Sequence, residues 1–172
     1  IESASRLDIR VAQFIRDGGG RFLRGSTFYE DFIKTICTIQ MSWSGTKRMV
    51  SSLVEDVGLG VFPDPSEVLD FGEYRLRKEV KMGFRSKVVI ETTEALLKKG
   101  ILSQTGDIEN GFIGYKDLIR LKGIGPYSAA HMSILQHDFS LIPIDSEVIK
   151  FCDLNYGIAA DEIQDYFDEW GF

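Results

Sequence analysis

The segment at residues 121–130 constrains the fold of this chain more than any other, and it reads Leu-Lys-Gly-Ile-Gly-Pro-Tyr-Ser-Ala-Ala. Glycine permits a tight turn and a close approach of another backbone, while proline suits the first turn of a helix. The N–H groups of Gly123, Gly125 and the new helix can therefore point at an anion, helped by the helix dipole. The segment predicts two helices joined by a phosphate-binding hairpin, with the Ile124 side chain buried in the core. A plain turn between two helices is the alternative.

Helix signals follow one another along the chain, and strand signals are weak throughout. Thr27 with Glu30, and Asp64 with Glu67, have the spacing of capping boxes. Apolar residues then recur at helical spacing. The sequence therefore predicts an all-α fold. The expected helices cover residues 27–37, 49–57, 65–70, 73–81, 86–99, 114–121, 126–137, 146–153 and 160–169.

The charge distribution is uneven. A net charge of −6 argues against nucleic-acid binding, because affinity for DNA depends on neutralising phosphates. Residues 141–172 have a net charge of −7, however, so residues 1–140 together have a net charge of +1. Within these, residues 73–100 hold eight basic and four acidic residues. The distribution permits a basic DNA-binding face, although an unevenly charged solvated surface has the same pattern.

Cysteine content and hydropathy argue against a disulfide-bonded, a membrane-spanning or a zinc-binding protein. The two cysteines, Cys37 and Cys152, lie in apolar helical patterns, so we expect buried free thiols rather than a disulfide. No apolar run approaches the roughly 20 residues of a membrane helix. No His/Cys cluster suggests zinc.

A second motif at residues 141–148 reads Leu-Ile-Pro-Ile-Asp-Ser-Glu-Val, and its Asp145 lies twenty residues past Gly125. With the hairpin, it resembles the signature of the helix-hairpin-helix-GPD superfamily of base-excision DNA glycosylases. The chain looks closest to the branch of 3-methyladenine DNA glycosylase II and the 8-oxoguanine DNA glycosylases. Residues 83–86, Gly-Phe-Arg-Ser, and the segment 28–43 resemble a turn and the first core helix of that branch. The resemblance covers roughly residues 22–171.

The resemblance implies one domain over residues 1–172 with two helical lobes and the helix-hairpin-helix motif at about 114–137. It implies a monofunctional glycosylase that excises alkylated or oxidised purines from double-stranded DNA, acting inside the cell as a monomer. Two alternatives stay open. One is a non-catalytic helix-hairpin-helix DNA-binding module, and the other is a helical protein-interaction domain, suggested by the acidic C-terminal end.

Asp145 is the expected catalytic carboxylate. Breaking an N-glycosidic bond leaves an oxocarbenium-like sugar, which a nearby carboxylate stabilises. Capping of the helix that follows is the plainer role for this aspartate, and the two roles are compatible. Bifunctional members carry a lysine where this chain has Tyr127, and a phenol cannot form a Schiff base. The sequence thus resembles the type without AP-lyase activity.

Further site residues follow from the resemblance. Tyr127 and His131 share a helix face, where aromatic side chains would stack on an extruded base; core packing is equally open. Gln40 takes the place of the side chain that fills the gap in the duplex. Trp43 lines the same groove or packs beneath it, with packing favoured. Lys122 is expected to face solvent or a phosphate. Arg85 reaches a phosphate or, as we favour, holds its own turn.

The chain also departs from relatives in the superfamily. It lacks the cysteine loop of the endonuclease III branch, so no iron–sulfur cluster or other cofactor is expected. A monovalent cation at the hairpin stays open. The N-terminal sheet domain is expected to be missing or reduced to an edge within residues 1–25. A final helix beyond Trp170 and Gly171 is also expected to be missing, which suggests a piece of a longer protein.

Overall fold

The computed structural model describes residues 8–109 and 111–168 and contains no β-strand within them; it has one isolated antiparallel bridge, between Leu102 and Ile108. The predicted all-α class is confirmed. The helices, numbered here in chain order, are α1 (Ile9–Arg16), α2 (Phe28–Thr38), α3 (Trp43–Ser52, continued by a π-helical turn, Leu53–Val57), α4 (Pro65–Lys78), α5 (Arg85–Lys98), α6 (Tyr115–Leu118), α7 (Pro126–Leu135), α8 (Ser146–Tyr156) and α9 (Ile163–Asp168).

Helix α2 forms the centre of the larger lobe. It packs against α3, α5 and α7, and its side chains Tyr29, Phe32, Ile33 and Ile36 are almost fully buried. The Thr27 hydroxyl accepts a hydrogen bond from the Glu30 N–H, so the predicted helix start is confirmed. The Glu30 carboxylate, however, accepts from the Ser26 N–H, which leaves the expected capping box incomplete.

Helix α4 begins at the predicted capping box of Asp64 and Glu67, with Pro65 at its first position. Gly72 interrupts it with a φ of 78°, a left-handed conformation that glycine adopts without strain. This kink accounts for the two separate helices predicted at 65–70 and 73–81. Helix α4 ends at Lys78, and the turn that follows leads into α5, against which α4 packs.

The smaller lobe comprises α1, α8 and α9, which meet at Tyr156. The Tyr156 hydroxyl donates to Asp8 at 2.9 Å, and the Arg10 guanidinium lies 4.7 Å from the centre of the Tyr156 ring. Tyr166 and Phe167 of α9 contact the same ring. The two predicted lobes are thus present.

Several boundaries differ from the predictions. The expected sheet edge within residues 1–25 is wrong where described, because residues 9–16 form α1; residues 1–7 lie outside the described part. Helices α6 and α7 end earlier than expected, at Leu118 and Leu135, and α8 continues to Tyr156. The expected helix end at residue 169 and the segment at 170–172 also lie outside the described residues.

Cys37 and Cys152 are buried free thiols, as predicted, and burial raises the pKa of Cys37 to about 12. Within residues 8–109 and 111–168, none of the helices has the length and apolar character needed to cross a membrane.

Candidate active site

The hairpin between α6 and α7 has the geometry that the glycines predict. Gly123 has a φ of 87°, and a Cβ there would lie 2.6 Å from Val88 Cγ2, so only glycine fits. Gly125 is extended, with a φ of −95°, and precedes Pro126 at the start of α7. Ile124 is buried in the core, as predicted. The N–H groups of Gly123 and Gly125 make no hydrogen bond within the described residues, so both remain available to an anion.

Asp145 caps the N-terminus of α8 through one carboxylate oxygen. Its Oδ1 accepts from the N–H groups of Glu147 and Val148 at 3.0 and 2.8 Å. Its Oδ2 makes no hydrogen bond within the part of the chain that the structure describes. The capping interpretation is therefore correct, and it leaves the second oxygen available to another group.

A cavity of about 800 Å³ brings the hairpin and Asp145 together. Gly123, Gly125 and Tyr127 form one side of it, and the turn that follows α2 forms the other. Gln40 and Trp43 also line this cavity, so the structure brings most of the predicted site residues to one place.

Trp43 corrects one expectation. It is the first residue of α3 and is 71% exposed, so the favoured interpretation, that it packs beneath the groove, is wrong. It lines the cavity wall instead, with most of its surface exposed among the described residues.

Tyr127 and His131 stack on each other, with ring centroids 5.8 Å apart and planes 16° from parallel. Burial raises the pKa of the Tyr127 phenol, and the negative charge of Asp145 adds to this. Burial lowers the pKa of His131, against the opposing effect of Asp31 and Asp145. Tyr127 lines the cavity, whereas His131 lies one helical turn further along α7 and is not among its lining residues.

Gln40 sits in the turn that follows α2, with a φ of 48°, a conformation that non-glycine residues rarely adopt. Arg85 explains how this turn is held. Its guanidinium is buried and donates to the backbone carbonyls of Ile39, Gln40 and Met82. The expectation that Arg85 holds its own turn is therefore correct but incomplete, since it also fixes the turn that presents Gln40.

Lys122 stays outside the cavity. Its side chain is 74% exposed and lies 3.2 Å from a carboxylate oxygen of Glu91 on α5. A phosphate contact by Lys122 would have to compete with this ion pair, so its phosphate role stays a prediction.

Asp31 is a residue that the sequence patterns missed. It is only 7% exposed, and its Oδ1 accepts from the Gly25 N–H at 2.7 Å. Burial raises its pKa. Its position in the apolar pattern of α2, where its neighbours are core residues, could have marked it as a buried carboxylate. Within residues 8–109 and 111–168, no group of three or more His, Cys, Asp or Glu side chains is arranged to hold a metal.

No protein-family model matches the sequence, and no curated relative matches it. Solved structures do. The 8-oxoguanine glycosylase/lyase of Clostridium acetobutylicum in its apo-form superposes with a TM-score of 0.78 at 21% identity, covering 99% of this chain and 64% of that one. The same enzyme in complex with double-stranded DNA containing cytosine opposite 8-oxoG gives 0.77 at 21% identity, covering 98% and 63%.

The structure of MBOgg1 in complex with a low affinity DNA ligand gives a TM-score of 0.78 at 20% identity, covering 99% of this chain and 63% of that one. The chain thus spans a little under two thirds of the length of these neighbours. At 20–21% identity, this structural similarity shows that the fold is shared. It shows that this chain shares its fold with the matched part of these glycosylase structures, in agreement with the fold that its two motifs predict.

Proposed function

We propose that this chain is a DNA N-glycosylase that removes a damaged purine by hydrolysis and has no AP-lyase step. The observation that carries the proposal is the arrangement of Asp145, whose Oδ1 is tied to two backbone N–H groups while its Oδ2 has no hydrogen-bond partner among the described residues. The carboxylate lines the same cavity as the hairpin glycines. Capping uses only Oδ1, whereas cleavage of a glycosidic bond also requires a carboxylate oxygen that is available to the sugar.

The chemistry follows from these positions. The N–H groups of Gly123 and Gly125 bind a backbone phosphate next to the damaged nucleotide, which places its sugar against Asp145. The C1′–N bond breaks, its electron pair leaves with the base, and the carboxylate stabilises the cationic sugar. A cationic alkylated purine leaves as a neutral base, whereas 8-oxoguanine leaves as an anion and afterwards takes up the proton that the water loses. Water then adds to C1′ and gives up one proton, for which Asp145 Oδ2 is the acceptor. The product is an abasic site in an uncut strand.

The extruded base must be bound by a side chain in the protein, and another side chain must fill the gap that the base leaves in the duplex. Tyr127 offers an aromatic face in the cavity, stacked on His131. Gln40 and Trp43 lie on the opposite wall and take the space that the base leaves. An aromatic face attracts a cationic alkylated purine more than a neutral one, so alkylated purines are the first substrate class. 8-Oxoguanine is the second, because the structural neighbours are 8-oxoguanine glycosylase/lyases.

The absence of a lyase step rests on Tyr127. A lyase needs an amine to attack C1′ and form a Schiff base, and a phenol cannot do this. No lysine is among the described residues that line the cavity, and the Lys122 amine is paired with Glu91. In this respect the chain would differ from its glycosylase/lyase neighbours.

The partner in this proposal is double-stranded DNA with one damaged base. The chain binds it as a monomer inside the cell, in the compartment that contains the DNA. One structural neighbour is in complex with a duplex of this kind. No metal or organic cofactor takes part in the proposed reaction, and a monovalent cation at the hairpin stays an open prediction.

The test is excision from duplexes that carry one lesion each: 7-methylguanine, 8-oxoguanine, hypoxanthine or uracil. The strand should break only after alkali, and Asp145→Asn should abolish the reaction. That substitution keeps the cap, because an amide oxygen can replace Oδ1 as acceptor for the Glu147 and Val148 N–H groups, so the thermal midpoint should stay close to wild type. Excision by Asp145→Asn at the wild-type rate, or no excision of any lesion, would contradict the proposal.

A further inference from the structure

A second groove lies beside the candidate active site, along α3. It has a volume of about 900 Å³ and is bordered by α3 and by the turn between α4 and α5. Met41 lines both the groove and the active-site cavity, so the two meet at the turn that carries Gln40. We call it the α3 groove and define it by Met41, Ser44, Lys47, Arg48, Ser51 and Lys81.

Different residues of helix α3 line the two spaces, which adjoin where Trp43 and Lys47, four residues apart, lie side by side. Trp43 and Thr46, three residues apart, line the active-site cavity. Ser44, Lys47 and Ser51 line the α3 groove at helical spacing. The same helix therefore presents an aromatic and neutral face to the base pocket and a basic and hydroxyl-bearing face to the groove.

The cations of the α3 groove are free to bind a ligand. Lys47, Arg48 and Lys81 are exposed and form no ion pair within the described residues. The one carboxylate among the described residues that line the groove, Glu79, is already paired with Arg75 at 3.0 Å. Outside the groove, Arg77, Lys87 and Lys122 each have a carboxylate partner. Lys98 and Lys99 are also exposed and unpaired among the described residues, but they do not line the groove. Three unpaired cations beside serine hydroxyls suit phosphate oxygens.

We infer that the α3 groove binds the phosphate backbone of the undamaged DNA strand. The inference rests on the proposed function and extends it to the second strand. The damaged strand must pass Asp145 and the hairpin, because its sugar meets the carboxylate there. The Gln40 turn enters the duplex from that side, so the strand beyond it is the complementary one. The two strands are thus held by different means, the damaged one by backbone N–H groups and the undamaged one by side-chain cations.

Such an arrangement also explains how a chain with a net charge of −6 binds a polyanion. Backbone N–H groups carry no net charge and release no counterions of their own, so the salt dependence of binding should come mainly from the three groove cations. Removing these cations should lower the salt slope by about 0.9 for each phosphate that they neutralise in wild type.

The experiment measures the affinity for a duplex containing a tetrahydrofuran abasic-site analogue, by fluorescence anisotropy between 50 and 200 mM salt. The test variant is Lys47→Ala/Arg48→Ala/Lys81→Ala. The control, Lys98→Ala/Lys99→Ala/Arg16→Ala, removes the same charge at exposed positions. Two of these lie at the far end of α5, about 20 Å from its first turn. With three phosphates neutralised, the decrease in affinity across this salt range should be about 40-fold smaller in the test variant than in wild type or control.

Strand identity is read by replacing phosphates with neutral methylphosphonates. On the undamaged strand this should reduce the salt slope of wild type and leave the test variant unchanged; on the damaged strand it should affect both proteins alike. DNA binding with equal slopes in the test and control variants would overturn this inference and leave the proposed function intact. An effect confined to the damaged strand would overturn the strand assignment, and no duplex binding by wild type would overturn the inference and the proposed function together.

Discussion

Arg85 offers the strongest test of how the fold supports the site. The residue is 4% exposed, and its guanidinium donates to three backbone carbonyls, those of Ile39, Gln40 and Met82. Arg85→Met keeps the length and apolar contacts of the stem and removes the hydrogen bonds to all three carbonyls. A hydrogen bond from a charged donor contributes roughly 1.5–3 kcal/mol when buried. Since the Gln40 turn is at the surface, where water can replace part of these bonds, we expect a total of about 3–4 kcal/mol.

The free energy of unfolding, measured in urea, should fall by that amount, and the thermal midpoint by roughly 6–16 °C for a domain of this size. Arg85→Lys, which can reach one or two carbonyls, should be destabilised by about half as much. Arg75→Met is the control: it breaks an exposed pair with Glu79 and should cost under about 1 kcal/mol. A destabilisation of less than about 1 kcal/mol in Arg85→Met would refute the view that this side chain holds the turn.

Three further outcomes follow from the site. Gly123→Ala should unfold at lower urea concentration, because its Cβ would meet Val88. Gly125→Ala has open space at its Cβ and should keep its stability, but it should bind the duplex more weakly in an anisotropy titration, because the methyl group would crowd a phosphate approaching the hairpin N–H groups. Borohydride should trap no covalent adduct between wild type and damaged DNA, since Tyr127 cannot form a Schiff base; a trapped adduct would disprove this. Burial lowers the pKa of His131 in the folded chain, so its imidazole binds a proton more readily in the unfolded chain. The free energy of unfolding should therefore fall as the pH drops through about 6.5, the ordinary pKa of histidine. An equal pH dependence in His131→Gln would contradict this.

Local patterns in the sequence predicted the elements of this protein well. Helix starts depend on residues within one turn, so the caps at Thr27 and Asp64 were readable, as was the hairpin around Gly123. Asp145 was also readable, because a motif places it at the start of a helix whatever that helix packs against. Helix ends were less predictable, because the stability of the last turn depends on tertiary neighbours.

The tertiary structure alone decided which residues meet. Arg85 supports Gln40 across 45 positions of sequence, and Trp43, expected to pack beneath the groove, is 71% exposed among the residues that the structure describes. The three cations of the α3 groove come from two separate segments, and only the structure shows that they lie together with no carboxylate partner among the described residues. Periodicity shows which face of a helix is apolar, but burial and ion pairing depend on what the fold brings against that face. For that reason the sequence determined the helices, the hairpin and the carboxylate, and the packing determined the site around them.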